Sequence, residues 1–176
     1  MKIIAEEANF DAEAADAESL LEEVLALPLF AHLATASKEG PRDSPLWFLW
    51  EAGSIWTLGN YDGDSFPRRV EADGRCAVGI VDFDVATGRV LHVGFRGHAV
   101  LTPQEPGRVR RLLRRYLGPD ESGWDSRFTG ILGDESWVLL RFDPVTAVVR
   151  DQSYQLGAPQ PRGTGPEVAT GRPVPR

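Results

Sequence analysis

The 176-residue chain contains a single cysteine, Cys76. One thiol excludes an internal disulfide and fits a reducing compartment, so the fold must rest on buried apolar surface. No apolar run approaches the ~18 residues of a membrane-spanning helix, and no membrane partner is expected. The opening residues Met1-Lys2-Ile3-Ile4-Ala5-Glu6-Glu7 place acids where a secretory signal carries its apolar core, which points to a cytoplasmic location. The net charge of −7 argues against a general nucleic-acid surface. Several catalytic signatures are missing too. There is no Gly-x-Ser-x-Gly elbow, no paired-cysteine motif, no Walker loop and no His-Glu-x-x-His, and no internal repeat is visible.

What is present suits one ordinary globular domain. Hydrophobic residues are 42% and charged residues 26% of the chain. A chain of this length buries roughly 70% of its unfolded surface, enough for a core without staples. The charge is unevenly placed: residues 3–37 carry eight acids and no lysine or arginine. We read residues 1–16 as an acidic arm, 17–156 as the folded domain, and 157–176, rich in proline and glycine, as a disordered tail.

Within the domain, Ser19-Leu20-Leu21-Glu22 reads as a capping box opening a helix that Pro28 ends. Its apolar face is Leu20, Leu21, Val24 and Leu25. The period then becomes strand-like. Strands are predicted over 30–36, 44–51, 54–58, 76–83 and 90–101, followed by a hairpin-like pair, 137–142 and 145–150, around Asp143-Pro144. A short helix is expected over 66–73 and a longer one from Thr102 or Pro103 to about Leu117. Short turns between strands exclude a parallel sheet, which needs crossover helices. The expected fold is mostly β (α+β): a closed or nearly closed barrel of about six or seven antiparallel strands with flanking helices.

Two places point to function. On the second strand Leu46, Phe48 and Trp50 share one face, and Trp47 and Leu49 share the other. Antiparallel barrel strands usually turn polar groups outward. A flat ligand, a partner subunit or an outer helix must therefore cover this strand. Further on, Gly59 and Gly63 loosen a loop, Asp64 or Ser65 can cap the short helix, and Arg68 and Arg69 stand beside its positive end. Backbone N–H groups, a hydroxyl and arginines make an anion site; a capped helix with two solvated arginines is the plain alternative.

Together these segments resemble the pyridoxamine 5'-phosphate oxidase-like FMN-binding split-barrel family. The matching motifs are Phe30-Ala31-His32-Leu33-Ala34-Thr35, Gly40-Pro41-Arg42-Asp43-Ser44-Pro45-Leu46-Trp47-Phe48, Ile55-Trp56-Thr57-Leu58 and Ser65-Phe66-Pro67-Arg68-Arg69-Val70. Ala77-Val78-Gly79-Ile80-Val81-Asp82 and Phe95-Arg96-Gly97-His98-Ala99 complete them, over residues 20–150.

The resemblance implies an FMN-binding flavoprotein, a flavin-dependent oxidoreductase acting on a small-molecule substrate or a nicotinamide electron donor. It also implies a homodimer with the cofactor at the interface. By resemblance, Arg42, Ser44, Leu46 and Trp47 line the flavin ring. Thr57, Leu58, Ser65, Arg68 and Arg69 lie near the ribityl chain and phosphate, and Trp137 is a contact from the later strands. Relatives with this fold also use deazaflavin cofactors or haem, so the alternatives are a non-catalytic flavin- or haem-binding or sensing module, or a deazaflavin-dependent reductase. Two departures matter. Pro67 stands where many relatives carry lysine, and no histidine follows His98, which argues against vitamin B6 synthesis. No catalytic acid or base and no metal site can be assigned.

Other candidates have structural readings. His92 and His98 share a strand face unless a glycine bulge intervenes, and His32 reads as a barrel residue. Asp82 and Asp84 read as a strand-end turn, and Cys76 as a small hydrophobe. Arg108, Arg110, Arg111, Arg114 and Arg115 read as a solvated helix face.

Overall fold

A computed structural model describes residues 1–5 and 14–156; the middle of the expected acidic arm and the whole expected tail lie outside the described residues. Seven strands run β1 (Lys2–Ala5), β2 (Phe30–Thr35), β3 (Arg42–Glu51), β4 (Ser54–Asn60), β5 (Arg75–Asp84), β6 (Arg89–Thr102) and β7 (Trp137–Asp151). Their order is β1-β7-β4-β3-β2-β5-β6, and β6 also pairs with β7. Strands β2 to β7 thus close an antiparallel barrel, while β1 adds in parallel to β7 through Ile3 and Ile4. The β6–β7 pairing joins the two ends of the sheet and closes the barrel on that side.

The expected hairpin-like pair is instead one strand. β7 runs unbroken for 15 residues. Pro144, which cannot donate to a ladder, sits where the β6–β7 register shifts between Arg96 and Gly97. A β-carbon on Gly97 would meet the Asp143 carbonyl oxygen at 2.2 Å, so the bulge needs glycine there. The one long strand serves three partners: residues 137–142 pair with β4, residues 146–149 with β1, and nearly its whole length with β6.

Helix α1 spans Ala14–Ala26 and therefore begins ahead of the Ser19 capping box, which lies inside it. Alanine-rich sequence before Ser19 has the highest helix propensity and extends the element backward. Its buried face is Ala17, Leu21, Val24 and Leu25, a helical repeat packed into the barrel core. Helix α2 spans Phe66–Ala72 and buries Phe66 and Val70 in the same core. It ends at Ala72, one residue short of expectation, with Asp73 as its C-cap.

Helix α3 spans Pro106–Leu117, starting later than expected because Thr102 stays in β6. Its cap is Glu105, whose carboxylate accepts from the N–H groups of Gly107 and Arg108. Val109, Leu112 and Leu113 form its buried stripe. They meet Trp56, Leu139 and partly buried Trp47 and Leu49 in a second core cluster, outside the barrel. The short helix α4 (Ser126–Thr129) and two 3-10 turns complete the connection to β7.

Arg110, Arg111 and Arg114 are exposed, as a solvated face requires, and the α3 arginines also make ion pairs and hydrogen bonds. Arg108 lies 3.7 Å over the Trp56 ring and donates to Glu51. Arg111 also pairs with Glu51, and Arg110 and Arg114 with Glu121. Arg115 donates to the Leu25 and Leu27 carbonyls, closing the C-terminal end of α1.

Candidate functional site

The site begins where two strands part. β3 and β4 pair only from Glu51↔Ser54 to Phe48↔Thr57. Beyond that, residues 42–47 of β3 pair with β2, and residues 58–60 of β4 pair with β7. The β4 side of the first half of β3 is therefore left without a strand partner. An unpaired strand edge keeps free backbone donors and acceptors, which suits a polar-edged ligand.

Tyr116 of α3 sets the far limit of the β2–β3 ladder. Its hydroxyl donates to the Leu29 carbonyl at 2.7 Å and accepts the Phe48 N–H at 3.0 Å. It fills the position that another β2 residue would take. Burial pushes its phenol pKa up, so the group stays neutral and keeps its proton to donate.

Two clefts border β3. The first has a volume of about 540 Å³ and is lined by polar groups from the β2–β3 turn, β3 and α2. Arg69 is its centre. Its Nε donates to Thr35 Oγ1 at 2.7 Å, and its terminal nitrogens donate to Ser65 Oγ at 2.5 Å and Ser44 Oγ at 3.2 Å. Three of five N–H donors are so directed, and the hydroxyls fix the guanidinium plane. Arg42 and Lys38 also line the cleft and add charge, with Arg42 paired to Glu39. Asp43 also lines the wall but is paired with His32 at 2.9 Å. Three cations thus face two carboxylates, each engaged or adjacent to a cation.

Arg68 does not join this group. It donates to the Asp62 carbonyl at 3.4 Å and lies over the Tyr61 ring, away from Ser44 and Ser65. α2 has seven residues, Ser65 makes no side-chain cap, and Asp64 accepts from Asn60 N–H instead. The donors that the side chains bring to the cleft are Arg69 and the hydroxyls it holds.

The second cleft, about 360 Å³, lies between the outer face of β3–β4 and α3–α4. Leu46, Trp47, Leu58 and Trp137 line it, so these four expected residues do converge. Trp47 is not bare. Tyr116 stacks on it at 4.7 Å and Phe128 packs at 5.2 Å. The outer helix considered for this strand is thus present as α3, yet it leaves this opening beside Trp47.

Thr57 stands apart from both clefts. It is 2% exposed, faces the barrel interior beside Phe48 and Leu140, and its Oγ1 has no hydrogen-bond partner among the described residues. The expected set is therefore brought together in two groups, Arg42, Ser44, Ser65 and Arg69 at one cleft, Leu46, Trp47, Leu58 and Trp137 at the other. Thr35, Lys38 and Phe128 were not anticipated. Thr35 could have been found from register alone, since it pairs with Arg42 across β2–β3.

The remaining candidates have structural roles. Arg150 bonds the His92 ring at 3.0 Å. Asp82 pairs with Arg89, and Asp84 accepts from Ala86 N–H and Thr87 at a turn. Cys76 is buried, and burial pushes its thiol up to about 11. Among the described residues no helix is long and apolar enough to cross a membrane.

No family model matches the chain, and no curated protein matches it in sequence. Solved structures do match in fold. A conserved hypothetical protein, Rv2991, from Mycobacterium tuberculosis superposes with TM-score 0.63 at 18% identity, over 88% of this chain and 98% of its own. An F420 reductase matches with TM-score 0.54 at 25% identity, over 72% and 94%. HutZ, a haem storage protein from Vibrio cholerae, matches with TM-score 0.58 at 15% identity, over 72% and 89%.

Proposed function

We propose that this chain, which has the pyridoxamine 5'-phosphate oxidase-like split-barrel fold, binds FMN at the split between β3 and β4 and works as a flavin-dependent oxidoreductase. The observation that carries the reading is the donor set around Arg69. A guanidinium held by three hydroxyls, with Arg42 and Lys38 in the same cleft lining, suits a phosphate dianion. The ring extends along β3 toward Leu46, Trp47 and Leu58, where polar lining gives way to apolar. Thr57 supports the barrel wall behind the site, and Trp137 borders its apolar end. Bound flavin supplies hydride transfer at its ring; the chain's residues bind it, orient it and exclude water.

A homodimer belongs to this reading. The outer face of β5 exposes Val81 and Phe83, next to a groove containing Gly79, Gly94, His92 and Arg150. Exposed apolar side chains beside polar groups suit contact with a second copy.

The test is binding of FMN against riboflavin by the purified protein. FMN should bind at least tenfold more tightly, since riboflavin lacks the phosphate. A bound yellow chromophore bleached by NADH or NADPH supports a reductase. Equal affinity for the two flavins would remove the polar cleft from the reading. The 25% identity to an F420 reductase favours a deazaflavin as the second reading, and selective uptake of F420 would support it. A red protein with a haem band would replace both.

A further inference from the structure

We propose that Thr35 is the residue that positions Arg69 for a phosphate, acting from behind the polar cleft. The ligand's identity rests on the FMN reading; the contact between the two side chains does not.

The inward row of β2 runs Ala31, Leu33 and Thr35, each at most 3% exposed. The first two join the apolar barrel core, and the row turns polar only at its last position. A hydroxyl there needs a partner, because burying it unbonded costs free energy. Valine has nearly the same shape and also suits a strand, so packing alone gives no reason for threonine. The partner is Arg69, whose Nε donates to Thr35 Oγ1 at 2.7 Å.

Thr35 is the most firmly held of the three hydroxyls around that guanidinium. It pairs with Arg42 of β3 on one side and Cys76 of β5 on the other, so its strand is held along both edges. Ser65 is exposed, and Ser44 accepts at a longer 3.2 Å. Thr35 lies behind the residues that line the cleft, so it acts on a ligand through Arg69. Among the described residues no carboxylate pairs with Arg69. Its Nε is turned to Thr35 and one N–H of each terminal nitrogen to a serine, which leaves one N–H on each terminal nitrogen for an anion. Thr35 fixes this long side chain before a ligand arrives, so less rotamer freedom is lost on binding.

The test uses the full chain and its variants Thr35→Val and Thr35→Ser, with FMN, riboflavin and inorganic phosphate as probes. The first variant keeps the shape and removes the acceptor; the second keeps the acceptor. Thr35→Val should weaken FMN about five- to tenfold and leave riboflavin unchanged, and Thr35→Ser should stay within about twofold of the parent. A residue that only supports the barrel would shift both flavins together. The second readout is the Arg69 Nε–H signal in a heteronuclear NMR spectrum, identified by its loss in Arg69→Lys. Its exchange with water should be slow in the parent and in Thr35→Ser, and faster in Thr35→Val. Fast exchange in the parent itself, or equal exchange in Thr35→Val, overturns the inference without any flavin. An unchanged FMN preference in Thr35→Val, where Arg69→Ala loses it, also overturns the inference and leaves the FMN reading standing. No FMN preference in the parent removes the FMN reading alone. Inorganic phosphate should then still shift the Arg69 signal in the parent and less so in Thr35→Val, and absence of that shift ends the inference as well.

Discussion

The indole of Trp47 lies against the phenol of Tyr116 with ring centroids 4.7 Å apart and planes 3° from parallel. This pairing ties the strand that borders the site to the helix that covers it. The same tyrosine holds the end of the β2–β3 ladder through Leu29 and Phe48. Tyr116→Phe keeps the stacking and loses both hydrogen bonds. Leaving a part-buried carbonyl and N–H unpaired should cost about 1–3 kcal/mol of stability. Urea unfolding followed by tryptophan fluorescence measures it. A loss below about 0.5 kcal/mol would mean that water replaces the hydroxyl.

The two adjacent arginines of α2 should behave differently. Arg69 reaches the polar cleft, whereas Arg68 turns to Asp62 and Tyr61. If the cleft holds the FMN phosphate, Arg69→Ala should weaken FMN by about 1.5–3 kcal/mol, and Arg68→Ala by less than about 0.5 kcal/mol. Riboflavin affinity should change in neither. Flavin fluorescence titration decides, and equal losses from the two variants would contradict the geometry.

The barrel was legible because its signals are local. Strand alternation, Pro28 after α1 and the glycine turns each act within a few residues. The two-sided apolar pattern of β3 was equally plain, but what covers it was not. Leu112, Leu113 and Tyr116 reach Trp47 because α3 packs back over β3, a long-range outcome. Likewise Arg68 and Arg69 are indistinguishable in sequence. Their 100° separation around α2 sends one into the cleft and the other out, and the local pattern did not set that phase. The bulge at Pro144 was misread for a related reason. A proline between apolar runs signals a turn, and only the neighbouring Gly97 on β6 lets the strand continue.

Glu51 should make stability depend on pH. Hydrogen bonds from Arg111 and then Arg108 hold its carboxyl below the ordinary glutamate value of 4.5. A carboxylate depressed in the folded state stabilises the fold above its unfolded pKa and loses that contribution as pH falls through the folded pKa. Glu51→Gln should therefore be less stable than the parent at neutral pH, by about 1–2 kcal/mol. The gap should shrink as pH falls below the ordinary glutamate value and through the lowered pKa of the folded state. Denaturation series at several pH values would show it, and a constant gap would rule the pair out as the cause.

Cys76 should be silent in the folded chain. Burial first, and then the charge of Asp73, raise its pKa to about 11, so little thiolate exists at pH 8. A thiol-reactive disulfide reagent should label it only after denaturant is added. Stoichiometric labelling of the native protein would show that β5 opens readily.

Gly97 carries the most exacting steric demand. A β-carbon there would lie 2.2 Å from the Asp143 carbonyl oxygen and 2.9 Å from Pro144 Cα. Both are backbone atoms of the bulge, so no flexible side chain can yield. Gly97→Ala must either push β7 away from β6 or remove the bulge, and each disturbs the ladder that closes the barrel. The expected cost is about 2–4 kcal/mol, at or above the upper part of the usual overpacking range. Gly123→Ala is the control, because a β-carbon at Gly123 meets nothing within 4 Å. Its melting temperature should stay near the parent's while that of Gly97→Ala drops by roughly 5–10 °C. If the two variants melt together, β7 can shift register at Pro144 without loss, and the bulge is not what holds the closure.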